Sequence, residues 1–169
     1  MQLRATLVIL TRGIRKIKAM AQSATDNERL NRLVDGIHDE DPVAARNAAW
    51  AMTHLSDDRI FLLQPRQNEF IDLAMHTDST PLRRLLLNII ERQAFDEQTL
   101  RTDFLDFCLE HMASPAETPG VQTLCMKLAH RFCNFYPELM KEFTEILQMM
   151  DSDYAICVKC LRKKMLTME

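Results

Sequence analysis

The chain has 169 residues, 47% hydrophobic and 27% charged, with a net charge of −3, which suits one soluble folded domain rather than a disordered chain. Only three glycines are present, too few for hairpin-rich sheets or a Gly-rich phosphate loop, so β-rich and Rossmann-type folds are excluded too. No apolar run approaches the ~20 residues of a membrane span, and the composition fits a cytoplasmic protein.

The first predicted element is a helix over residues 3–21. Leu3, Leu7, Leu10, Ile14, Ile17 and Ala21 recur at steps of four and three, a helical period. Arg4, Arg12, Arg15, Lys16 and Lys18 surround that stripe with no acid among them. Its longest apolar run, Leu7 to Leu10, is too short for a signal peptide, and the basic residues follow it. Such a helix suits a cap on the open end of a helical stack; a membrane surface or another chain would also accept it.

From residue 27 onward the chain alternates two kinds of helix. The second kind, termed B, follows a helix-start signal seen three times: Asp41-Pro42, Thr80-Pro81 and Thr118-Pro119. A short polar side chain there accepts from the unpaired amides of the first turn. Proline suits the first helical position because it has no N–H to satisfy. The three prolines stand 39 and 38 residues apart. The apolar stripes are Val43, Ala45, Ala48, Ala49, Met52 and Leu55; then Leu82, Leu85, Leu86, Ile89 and Ile90; then Val121, Leu124, Cys125, Leu128, Ala129 and Phe132. A fourth B helix, without proline, is expected to open after Ser152 and to carry Tyr154, Cys157, Val158, Leu161 and Met165. Each has a partner A helix before it: Leu30 to Ile37, Phe70 to Met75, Phe104 to Leu109, and Phe143 to Leu147. Residues 27–166 thus read as four antiparallel pairs in one domain spanning residues 1–169, with residues 1–22 as the cap.

Pairs of this length bury their apolar faces only by stacking, which gives a solenoid with a concave inner side. With Asp41 to Arg46, Arg46 to Leu55, Pro119 to Cys133 and Tyr136 to Leu139, the chain resembles the HEAT/armadillo-like superfamily and small bacterial HEAT-like proteins. The HEAT pattern places an arginine directly after the first apolar B-helix residue. Arg83 fits, whereas Ala44 and Gln122 occupy the equivalent places. The resemblance implies an all-α, right-handed α-α superhelix that binds protein and lacks catalysis, with B helices lining the concave side. A similar fold occurs in alkylpurine DNA glycosylases, which use a basic concave groove, aromatic side chains and a catalytic aspartate. Against that alternative stand a single tryptophan and an acidic total charge.

Three pairs have metal-ligand spacing: Cys108 with His111, His130 with Cys133, and Cys157 with Cys160. The cysteines fall on the apolar stripes, where free cysteine behaves as a small hydrophobe, so no metal or other cofactor is expected. Cys157 and Cys160 also have redox spacing, but a mid-helix position argues against that chemistry. Asp57/Asp58 and Asp103/Asp106 suit a turn and a solvated face. No GxSxG, HExxH or phosphate-loop motif is present.

Charge is the most informative functional signal. The B helices sum to +8, from Arg46, Arg83, Arg84, Lys127 and Arg131 among others, and the A helices to −6. Basic residues in last turns complement helix dipoles, which accounts for Arg131 but not for Arg46, Arg83 or Arg84. The expected partner is therefore an acidic protein segment on the concave face, with nucleic acid the alternative. Arg46, Trp50, Arg83, Arg84, Lys127 and Arg131 are the expected contacts. Trp50 has small neighbours, so it serves either as a core ring or as an anchor.

Overall fold

A computed structural model describes residues 2–24, 26–150 and 153–167, with the backbone alone for residues 2–12 and 99. The described residues form helices joined by short turns and loops and contain no strand. The chain separates into two compact units, one ending at Gln64 and the other starting at Pro65.

The first unit holds α1 (Gln2–Ser23), α2 (Asn27–Asp35), α3 (Pro42–Thr53) and α4 (Asp57–Leu62). α2 and the 3-10 turn that follows it pack against α3 through Leu30, Leu33, Val34 and Ile37, all buried. α1 also packs on α3, and Ile17 and Ala21 are buried as the stripe requires, whereas Ile14 is 36% exposed. The side chains of Leu3, Leu7, Leu10, Arg4 and Arg12 lie outside the described residues. On α3, Ala45, Ala48, Ala49, Ala51 and Met52 are buried, but Val43 is half-exposed and leaves the predicted stripe. The short α4 has no counterpart in the sequence reading, and only Ile60 anchors it by burial.

The second unit holds three pairs: α5 (Gln67–His76) with α6 (Thr80–Glu91), α7 (Thr102–Ala113) with α8 (Pro119–Cys133), and α9 (Pro137–Met149) with α10 (Ile156–Leu166). α6 packs on α8 and α8 on α10, while α5 packs on α7 and α7 on α9. The A helices and the B helices therefore form two separate layers. The core between them is built from Phe70, Phe104, Phe132 and Phe143 together with Leu86, Leu87, Ile89 and Ile90, all essentially inaccessible. Phe104 and Phe132 meet edge-on across the layers, with centroids 5.7 Å apart.

The helix starts differ in detail from the expected caps. The Asp41 carboxylate accepts from the Val43 amide at 2.9 Å. Thr80 is already helical, and the cap is Ser79, whose hydroxyl accepts weakly from Leu82 N at 3.4 Å. Thr118 precedes Pro119 as expected, yet its side chain caps nothing. The fourth B helix opens at Ile156, later than expected, so Tyr154 precedes it and Cys157 lies in its first turn.

Candidate functional site

Arg83 stands in the first turns of α6 and reaches back across the turn that joins α5 to α6. Its Nε donates to Ala74 O at 3.2 Å and one terminal nitrogen to Thr77 O at 2.6 Å. These are carbonyls at the end of α5, which lack partners within their own helix. The other terminal nitrogen donates to Glu117 at 3.0 Å, and the two side chains are 15% and 11% exposed. His111 Nε2 lies 3.6 Å from the same Glu117 oxygen, and its ring stacks on Phe107 at 3.8 Å. One arginine thus ties the α5–α6 turn to the α7–α8 turn.

Gln122 closes the equivalent turn one repeat later, within its own helix pair. It is buried, and its amide donates to Ser114 O at 2.7 Å, the residue that ends α7 as Thr77 ends α5. The sequence identified the position but not that glutamine could replace the guanidinium there.

Arg131 is likewise committed to the scaffold. It donates to Glu91 O and, at 2.9 Å, to Gln93 O, and so caps the end of α6. Its guanidinium stacks over Phe95 at 4.7 Å. Arg162 does the same for α9, donating to Leu147 O and Gln148 O.

Arg84 differs from its neighbour. One residue along a helix is a rotation of about 100°, so Arg84 leaves the turn and lies exposed on the open side of the B layer. Its stem runs over the start of α8: a Cβ added to Gly120 would meet Arg84 Cδ at 2.8 Å. At the far end of the same helices, Lys127 on α8 lies 3.8 Å from Glu91 on α6 and remains 45% exposed. Arg84 and Glu91 on α6, and Gly120 and Lys127 on α8, are each seven residues apart, two turns along one face. The two helices therefore run in parallel, and this face carries Arg84 and Lys127 with Glu91 beside the latter. In the first unit Arg46 and Trp50, four residues apart, share one face of α3. Arg46 is exposed, and the half-buried Trp50 ring lies 6.4 Å from His54.

On the A layer, Asp103 pairs with Arg101, which also binds Asp72 on α5. The hydrogen bond from Arg101 holds the Asp103 carboxyl below its ordinary value. Asp103 is thus exposed but partnered, while Asp106 is exposed.

Among the cysteines, Cys108, Cys125 and Cys133 are buried on the stripes. Burial pushes the Cys108 thiol well above its ordinary value and that of Cys133 up to about 11. Cys157 and Cys160 are exposed, contrary to the expectation that all five are core residues. Among the described residues, no group of three or more His, Cys, Asp or Glu side chains is placed to hold a metal ion. No described helix is long and apolar enough to cross a membrane.

Stacked helix pairs whose turns are clamped by a side chain from the B helix define an α-helical repeat protein. The model of the HEAT repeat domain family matches residues 4–168, and the chain belongs to that family. HEAT repeats generally mediate protein–protein interaction and are typically non-enzymatic scaffolds. No curated protein and no solved structure matches the chain.

Proposed function

We propose that the chain is a non-enzymatic scaffold in the cytoplasm that binds an acidic segment of a protein partner on the open face of its B helices. The observation that supports this reading is the exposed Arg84 and the partly exposed Lys127, beside Glu91, on adjacent parallel helices. Arg46 beside the half-buried Trp50 offers a cation and a ring on the corresponding helix of the first unit. Arg83 and Arg131 contribute by holding the turns from which this face is built, because their guanidiniums are already engaged. Exposed acids such as Asp106, Glu110, Glu138 and Glu142 populate the A layer, which disfavours the same ligand there.

The test uses a fluorescent peptide of alternating acidic and apolar residues, titrated with the full-length protein. Joint reversal of Arg84 and Lys127 to Glu is expected to weaken binding by roughly tenfold or more, since like charges then meet at the interface. Reversal of Asp106 and Glu110 to Lys is the control and leaves binding nearly intact. Loss of binding on the A-layer reversal alone overturns the assignment of the face. A labelled duplex that binds more tightly than the peptide, with a steep fall as salt rises, replaces the protein partner by nucleic acid.

A further inference from the structure

α10 begins at Ile156, behind Ala155 as its cap, so Cys157 and Cys160 occupy its first turn and a half. Val158 and Met165 are buried where the helix meets the rest of its unit. At about 100° per residue, Ile156, Cys157, Lys159, Cys160, Lys163 and Lys164 project from the opposite side, and all six are exposed. The helix contains no acidic residue. Two accessible thiols therefore share one outward face with three lysines, while Cys108, Cys125 and Cys133 are out of reach of solvent.

The spacing allows the two sulfurs to join. Residues three apart in an α-helix have Cα atoms about 5 Å apart, inside the ~4.4–6.8 Å that a disulfide spans. Their Cβ atoms, about 5–6 Å apart, must approach to the ~3.5–4.5 Å of a relaxed bond. That adjustment can be taken up at Cys157, whose amide lies in the first turn and has no acceptor within the helix to lose. A bond made this way is strained and exposed, which are the properties of a readily reduced, responsive disulfide rather than a structural one.

We propose that Cys157 and Cys160 are a redox-responsive dithiol that exchanges with an anionic low-molecular-weight disulfide of the glutathione type. One cysteine, as thiolate, attacks a sulfur of the small disulfide; that S–S bond breaks, and one small thiolate leaves and is protonated by water. The second cysteine, as thiolate, attacks the protein sulfur of the resulting mixed disulfide and expels the other small thiolate. The protein loses two electrons and two protons, and the small disulfide becomes two thiols. Lys159, Lys163 and Lys164 draw the carboxylates of the co-reactant to the thiols.

The experiment incubates the reduced full-length protein with oxidised glutathione, alkylates the remaining thiols and maps the products by mass spectrometry. The expected product has lost two hydrogens, both at Cys157 and Cys160, and returns to the starting mass with reduced glutathione. Cys157→Ser and Cys160→Ser should each stop at one attached glutathionyl group, with unchanged circular dichroism because both positions are exposed. Exchange of the three lysines for glutamine should slow the reaction several-fold at low salt and have little effect at high salt. A protein left fully reduced, one carrying two separate glutathionyl groups, or a disulfide between two chains overturns the proposal.

Discussion

Arg83 and Gln122 clamp equivalent turns with different chemistry, and they show why adjacent residues of one charge need separate treatment. From the sequence, Arg83 and Arg84 are both B-helix cations expected to contact a partner. The structure corrects this for Arg83: each of its three guanidinium nitrogens donates, to Ala74 O, Glu117 and Thr77 O. Arg83→Glu sets a carboxylate against Glu117 and removes the donors from the end of α5. Loss of a largely buried, hydrogen-bonded pair of this kind costs about 3 kcal/mol, and the urea midpoint should fall accordingly. Arg84→Glu, on the open face, should change stability by less than about 0.5 kcal/mol. Equal midpoints for the two variants would refute the clamp. The sequence identified both arginines as basic B-helix residues but did not separate them. Separation needs the position of Glu117, 34 residues away, which no local pattern carries.

The helix starts test how far local signals determine an element. Asp41 makes a 2.9 Å bond to Val43 N, so Asp41→Ala should cost about 1 kcal/mol. Thr118→Ala should cost much less, since the threonine hydroxyl caps nothing. Thermal melts of the two variants read the difference, and an equal loss for both would overturn it. The fold was largely legible because apolar periodicity and the repeated Pro signal are properties of single helices. Leu82, Leu85, Leu86, Ile89 and Ile90, read as a stripe, are all buried. What was not legible lay where those signals are weak. α4 has six residues and one buried side chain, too short to show a period. α10 lacks a proline start; its opening was placed too early, which moved Cys157 and Cys160 into mid-helix and hid their exposure. Of the expected site, the basic character of the B layer was legible in the sequence. Which cations remain available was not, because Arg131 and Arg162 find carbonyls 38 or more and about 15 residues away, at the ends of α6 and α9.

At the scale of the second unit, the B helices carry an excess of bases and the A helices an excess of acids, but several B-layer cations are engaged by their own scaffold before they meet a partner. The same stacking grades stability along the second unit. In repeat proteins each helix gains its stability from its neighbours, so interior helices outlast those at the ends. α8 contacts α6, α7, α9 and α10, and nine of its fifteen residues are buried, including Val121, Cys125 and Phe132. α10 packs on α8 and α9, and only Val158 and Met165 are buried among its eleven residues. Opening α8 exposes most of the core of its unit, whereas α10 can open while the core remains largely covered. Hydrogen exchange should therefore find α8 amides released only by global unfolding and α10 amides by local opening, with protection differing by at least about tenfold. Methionine or leucine at Cys157 and Cys160 should leave α8 protection unchanged, because neither thiol is part of the core. Protection in α10 as high as that in α8 would mean that the pair α9–α10 is covered by something other than its own unit, and would contradict the stacking order.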